Sequence, residues 1–217
     1  MEILQIKNLN FQYNEAPKYA LKDVSLSVNE GEFVVICGES GCGKSTLLKL
    51  LKKETSPFGK MSGEIIYDGK DRNELDKRVS ASEIGFVLQN PESQIVTDYV
   101  WHELAFGLES LGLDTWEIRR RTAEIASYFG VQEWFHKKTN ELSGGEKQIL
   151  NLASVMVMQP KVLILDEPTA QLDPIAASDF IDTLARLNYE LGITVILVEH
   201  RLEEIFPIAN RVIIMDS

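Results

Sequence analysis

An α/β fold, with a parallel sheet covered by helices on both faces, is what the sequence predicts, and three observations predict it. Short apolar runs of strand length, VVIC at 34–37, VLIL at 162–165 and VILV at 195–198, alternate with segments whose apolar residues recur at helical spacing. That alternation is the signature of strand–helix–strand units, which produce parallel sheets. Each run also ends on a polar cluster: GESGCGKST after the first, Asp166–Glu167 after the second, Glu199–His200 after the third. In open sheets of this kind ligands gather at the carboxyl ends of the strands, so these clusters are expected to meet at one site.

The elements follow in order. EILQIKNLNFQY and LKDVSLSVNEGEF alternate apolar and polar residues and break at Asn, Pro and Gly, which predicts antiparallel strands ahead of the run Phe33 to Cys37. SGEIIYDGK from Ser62 reads as another short strand with a turn, and EIGFVLQ, Glu83 to Gln89, as a buried strand ending on a polar residue. From Asp98 to about Lys138 the period changes. Trp101, Leu104, Ala105 and Leu108, then Ile118, Ile125, Tyr128 and Phe129, recur at helical spacing with charges between them, predicting a helical lobe. A long helix should run from Ser143 through Met158, followed by the strand KVLILDE, a helix from Pro174 to about Leu191, the strand TVILVEH, a short helix near Leu202 to Phe206 and a last strand RVIIMD.

Composition limits what such a protein can do. The 217 residues are 44% hydrophobic, enough for a core, but no apolar run approaches the roughly 20 residues of a membrane span. No secretory leader opens the sequence, and two cysteines five residues apart do not make a disulfide framework, so a cytosolic location is expected. A net charge of −11 argues against nucleic acid as a partner. The basic run Arg119 to Arg121 reads as a solvated helix face, and His102 and His136 as structural or surface residues.

The run Gly38, Glu39, Ser40, Gly41, Cys42, Gly43, Lys44, Ser45, Thr46 matches the phosphate-binding loop pattern and follows a strand, the context that gives the pattern meaning. Glycines allow the backbone N–H groups to converge on an anion, Lys44 adds a charge for the β- and γ-phosphates, and Ser45 offers a hydroxyl to Mg²⁺. The helix that begins there directs its positive end at the same anion, so a nucleoside triphosphate is the expected ligand. The glycine spacing does not fit the dinucleotide fingerprint. Cys42, beside Lys44 and a helix start, is expected to be the more reactive thiol, and Cys37, on the strand, the slower one.

Asp166 can hold Mg²⁺ directly or through water, while Glu167, one residue on, points elsewhere and suits a general base acting on the attacking water. His200 could hold the γ-phosphate or that water. In LSGGEKQ, Ser143 and Glu146 have capping-box spacing, whereas Gly144 and Gly145 open the first-turn N–H groups to an outside anion.

One chain with two phosphate-facing helix starts and a helical lobe between them resembles an ATP-binding-cassette (ABC) ATPase over nearly its whole length. The resemblance implies a P-loop NTPase with a RecA-like parallel sheet, an antiparallel β subdomain and an inserted helical subdomain. Residues 1–89 and 141–217 would form the catalytic core with the β subdomain, and 90–140 the helical one. It assigns GESGCGKST as Walker A, Gln89 as the Q-loop glutamine with catalytic and metal-binding roles, LSGGEKQ as the signature, VLILDE as Walker B, QLD at 171–173 as the D-loop, His200 as the switch histidine and Tyr13 as the aromatic that stacks on adenine. Glu146 for the more frequent glutamine, Gln171 in the D-loop and the lack of Arg after Gln148 depart from the common pattern.

The same resemblance implies a head-to-tail pair with a second ABC ATPase subunit or domain, in which Ser143, Gly144 and Gly145 close over the partner's nucleotide. QNPESQIVTDYVWHELAFGLE, Gln89 to Glu109, with TAQLDPIAASDF and EHRLEEIFP, is similar to the energy-coupling-factor (ECF) transporter ATPases, and in particular to the first half of fused two-ATPase proteins. These power vitamin or transition-metal uptake through a transmembrane coupling subunit and a substrate-binding membrane protein, at the cytoplasmic face of the membrane. Gln89, Pro91 and Gln94 would then lie where the ATPase meets the coupling helices. A conventional ABC importer is the alternative. A soluble ABC ATPase acting on ribosomes or DNA is disfavoured, because neither a basic linker nor a long coiled coil is present.

Overall fold

The computed structural model describes residues 1–216 and builds two sheets. Strands β1 (Glu2–Tyr13), β2 (Leu21–Asn29), β4 (Gly59–Tyr67) and β5 (Lys70–Asp71) form an antiparallel sheet in the order β2-β1-β4-β5. Strands β3 (Phe33–Gly38), β6 (Ile84–Val87), β7 (Val162–Asp166), β8 (Thr194–Val198) and β9 (Arg211–Met215) form a parallel sheet in the order β6-β7-β8-β3-β9. The interior strands of that sheet are apolar at nearly every position because both faces are covered.

Strand period decides which core each residue joins. Val34 and Ile36 pack with Ile164 and Ile196 on one face, against helix α1 (Lys44–Leu51), whose Leu47, Leu48, Leu50 and Leu51 also touch Ile3, Leu4 and Ile6 of the antiparallel sheet. Helix α1 is thereby sandwiched between the two sheets. Phe33, Val35, Leu163, Leu165, Val195 and Leu197 face the other way, against α5 (Gly144–Met156) and α6 (Pro174–Leu191). Ala177, Phe180, Ile181, Leu184 and Leu187 make the buried stripe of α6, which starts at the Asp173 cap with Pro174 in its first turn and stops at Gly192.

The helical lobe comprises α3 (Val100–Ser110) and α4 (Thr115–Tyr128) with a small core of Val100, Leu104, Ala126, Val131, Leu142, Leu150 and Ala153. Leu150 and Ala153 belong to α5, whose opposite face carries Leu152 and Val155 into the core under the parallel sheet, so α5 is shared. The Arg119–Arg121 segment is a solvated face as expected: Arg120 and Arg121 pair with Glu117 within α4.

Four boundaries differ from the sequence expectation. Strand β4 begins at Gly59, three residues earlier, where it pairs with Tyr13. Strand β6 keeps only Ile84–Val87, because a helix, α2 (Lys77–Glu83), capped by Asp76, occupies the preceding residues. The long helix ends at Met156. Residues 202–206 form successive turns rather than a helix, since Pro207 lacks the N–H that would continue the ladder and crowds the turn before it.

Candidate functional site

The strand order places the ends of β6, β7, β8 and β3 side by side, so the polar clusters that follow them share one edge of the sheet. The phosphate loop spans the end of β3 and the start of α1. Its glycines are conformationally required at two positions: Gly43 has φ 99° and a side chain there would lie 2.4 Å from the Ala20 carbonyl, while Gly38 has φ 148° and would meet the Met215 carbonyl at 2.1 Å. The loop is therefore held tight from both sides.

Tyr13, Ala20, Ser40, Gly41, Gly43, Lys44, Ser45, Thr46 and Glu167 line a cavity of about 230 Å³. Lys44 is only 5% exposed, and its ammonium donates to the Gly38 and Glu39 carbonyls at 2.8 Å each. The Asp166 carboxylate acts on it, as on Lys49, through its charge. A buried ammonium held by two carbonyls is costly, and an anion entering this cavity would add a closer opposite charge. Tyr13, 37% exposed, hydrogen-bonds Thr46 Oγ1 at 2.9 Å and packs edge-on against Phe11, which fixes its ring at the cavity wall.

Ser45 Oγ donates to the Asp166 carboxylate at 2.8 Å. Burial raises the Asp166 carboxyl above the ordinary range, and the Ser45 bond and nearby Lys49 only partly offset it. A buried carboxylate and a hydroxyl facing each other are hard oxygen donors that fit Mg²⁺, which characteristically takes one or two protein oxygens and completes its shell with phosphate and water. Among the described residues no group of three or more His, Cys, Asp or Glu gathers where it could hold a metal ion.

Glu167 follows the last residue of β7 in a left-handed conformation, φ 46°, with its N–H bonded to the Val198 carbonyl. Gln89 Nε2 donates to Glu167 Oε2 at 2.9 Å, and His200 Nε2 lies 2.9 Å from Glu167 Oε1. Three residues from three strand ends thus meet at one carboxylate. Gln89 bonds Glu167 rather than the Ser45–Asp166 pair where the sequence expectation put its metal role.

The signature segment lies apart from this cavity. Ser143 caps α5: its hydroxyl accepts from Glu146 N–H at 3.3 Å, and Glu146 in turn accepts from Ser143 N–H at 2.7 Å. Gly144 has open space where a side chain would stand. None of residues 142–148 lines the Lys44 cavity.

The expectation for the two thiols needs correction. Cys42 is 6% exposed and Cys37 intermediate, because the Cys42 thiol turns inward to within 3.8 Å of Lys44 Nζ. Cys42 contributes backbone to the loop, and its thiol is not the accessible one. Gln94 is half-buried: it accepts from Leu88 N–H at 2.9 Å and donates to the Phe86 carbonyl at 3.1 Å, bracing the turn after Gln89, and it also lines a groove beside Val96 and Phe106. The sequence reading also missed Ala20, whose part in the cavity depends on pairing across the antiparallel sheet and leaves no local signal.

Comparisons with known proteins bear on this geometry. Residues 21–170 match the family model described as ABC transporter. A protein of Bacillus thuringiensis, named provisionally as an ABC transporter ATP-binding protein, is 54% identical over 213 residues, covering 98% of this chain and 39% of its own length. A similarly named protein of Pyrococcus abyssi is 39% identical over 219 residues, covering 100% of this chain and 78% of its own. The chain thus spans about two fifths of the Bacillus relative. Among solved structures, cbiO1 of Clostridium perfringens, part of the ABC transporter complex cbiONQ, superposes with a TM-score of 0.88 at 34% identity, covering 99% of this chain and 85% of that one. A dimeric ATP-binding cassette in a post-hydrolysis state with ADP and Pi superposes with a TM-score of 0.84 at 29% identity, covering 98% and 94%.

Proposed function

Since the chain belongs to the ABC transporter family of ATP-binding proteins, whose cassettes hydrolyse ATP, we propose that it powers ECF-type uptake of a vitamin or transition-metal ion. The observation that carries the catalytic half is the buried Lys44 ammonium, held by the Gly38 and Glu39 carbonyls in a glycine-rich loop beside the ends of three further strands. ATP lies in the Lys44 cavity with its phosphates in the loop formed by residues 38–46 and its adenine on Tyr13. Ser45 and Asp166 would hold Mg²⁺, which would neutralise charge on the phosphates. Glu167 takes the proton of the attacking water, Gln89 and His200 orient that carboxylate, and His200 also reaches the γ-phosphate.

The chain works as a head-to-tail pair, in which Ser143, Gly144 and Gly145 of one cassette close over the nucleotide of the other. The placement of the signature outside its own cavity supports this, and so does the dimeric cassette among the structural neighbours. Residues 90–140 act as the helical subdomain of that pair.

No described helix is long and apolar enough to cross a membrane, so the transport path belongs to partners. A groove of about 450 Å³ between the core and the helical lobe, lined by Val96, Phe106, Val155 and Met158 with Lys52 and Arg78 at its side, suits an amphipathic helix of a transmembrane coupling subunit. Likeness to cbiO1 and the Gln89–Glu109 segment favour the ECF type, in which the coupling subunit serves a substrate-binding membrane protein; the ATPase then sits on the cytoplasmic face of the membrane. Affinity purification of the protein from membranes should recover a polytopic membrane protein. Phe106→Glu, in the groove, should lose that partner while ATP still binds at Lys44. Recovery of ribosomes instead, or a partner indifferent to Phe106→Glu, would refute the assignment.

A further inference from the structure

Beside the catalytic cluster lies a carboxylate that the reaction itself does not use. Glu199 directly follows β8, is 2% exposed, and is fully occupied: Oε1 accepts from Thr169 N–H at 2.9 Å and from Thr169 Oγ1 at 2.5 Å, while Oε2 accepts from His200 N–H at 2.9 Å. Thr169 is equally buried and stands two residues beyond Glu167, in a run of turns where Ala170 N–H bonds the Glu167 carbonyl and Leu172 N–H the Thr169 carbonyl. One carboxylate therefore fastens the end of β8 to the loop that carries Glu167 on one side and Gln171–Asp173 on the other. Arg201 adds a second link, its guanidinium donating to the Leu172 carbonyl at 3.3 Å.

A single buried acid bonded on both sides is an uncommon choice for a strand end, because its burial is costly unless every bond is kept. The chemistry it serves is legible in its neighbours. His200 is the residue after it, and the His200 ring meets Glu167 at 2.9 Å even though the imidazole is half exposed. The backbone of His200 must be fixed for that ring to arrive.

We propose that Glu199 is a positioning residue: it holds the His200 backbone and the Thr169 loop in one register, so that the His200 ring, Glu167 and the Gln171–Asp173 segment move together. The proposal rests on the reading of His200 and Glu167 as parts of an ATP-hydrolysing site. In Glu199→Gln the carboxamide keeps its size but opposes an N–H to a backbone N–H on one side, releasing either His200 or Thr169.

The test is steady-state ATP hydrolysis in the assembled complex by Glu199→Gln, His200→Ala and the double variant, with thermal unfolding of each. Glu199→Gln should lower kcat about 10- to 100-fold, as a small misplacement of a positioned group does, with KM for ATP unchanged, and should add little further loss in the His200→Ala background. An equal loss in both backgrounds, with His200→Ala itself impaired, would overturn the clamp and leave the site reading standing. A His200→Ala variant with normal kcat would remove His200 from catalysis and the clamp with it. Thr169→Val, which deletes one of the three bonds without opening a cavity, should show the same dependence on His200 at a few-fold scale. It decides the matter if Glu199→Gln does not fold.

Discussion

Glu167 is held at both oxygens, by Gln89 and by His200, and its left-handed backbone sets it away from the direction of Asp166 although the two are adjacent in sequence. Neighbouring carboxylates can thereby carry different work. Glu167→Gln should retain ATP and Mg²⁺ but lose hydrolysis by about 10²- to 10⁴-fold, the range for a positioned general base; single-turnover assays on the assembled complex measure this, and an unchanged rate would remove Glu167 from that role. Asp166 gives a pH prediction of definite sign. Its folded carboxyl is raised by burial, so the neutral form is favoured in the folded protein, and that contribution to stability is present at low pH and lost as pH rises through the raised value. Mg²⁺ needs the charged form. Its affinity should consequently fall on mild acidification, at a pH where an ordinary aspartate is still ionised, and Asp166→Asn should bind Mg²⁺ weakly with a flat pH profile in a metal titration.

At the scale of elements, α1 and α5 both begin at glycine-rich turns, yet they are built for different ends. Helix α1 has Gly43 as its N-cap with no side-chain cap, leaving its first N–H groups to the cavity, whereas α5 is closed by the Ser143–Glu146 box and keeps its open side at Gly144. Ser143→Ala should cost about 1 kcal/mol of stability, the usual value of an N-cap, visible as a lowered unfolding midpoint with the Lys44 cavity intact. Gly43→Ala is a harsher change, because it demands both a positive φ and a 2.4 Å approach to the Ala20 carbonyl. It should abolish ATP binding in an equilibrium assay while the antiparallel sheet still folds. The element that escaped the sequence reading, α2, is seven residues long with only Ser80 buried, too short and too polar to display a period.

For the whole molecule, the signature and the phosphate loop lie on different parts of one chain, which makes a second cassette part of the proposed mechanism. Ser143→Arg tests this directly. In an assembled pair the altered chain should keep near-normal ATP affinity at its own Lys44, measured with the partner disabled by Lys44→Ala, while hydrolysis in the opposite site collapses, measured with Lys44→Ala placed in the altered chain instead. A fall in the altered chain's own affinity as deep as that of Lys44→Ala would make LSGGEKQ part of its own site and end the two-cassette reading. Untouched hydrolysis would leave Ser143 as a cap alone.

What the amino-acid order determined by itself is the inventory of chemistry and the class of fold. The loop Gly38–Thr46, the adjacent Asp166 and Glu167, the terminal His200 and the cap at Ser143 are all local patterns, and local patterns survive in a linear text because strand period, helix period and backbone freedom act over a few residues. Tertiary structure alone decided where those side chains point. Gln94 bends back because the carbonyl of Phe86 and the N–H of Leu88 await it; Cys42 is buried although it stands in a loop of phosphate-binding pattern; and Glu199 is bonded to Thr169, thirty residues earlier in the chain. The Glu199–Thr169 pairing depends on β7 and β8 lying side by side in the order β6-β7-β8-β3-β9, which no window of neighbouring residues contains, whereas Gln94 and Cys42 turn to partners within eight residues whose direction only the folded loop sets.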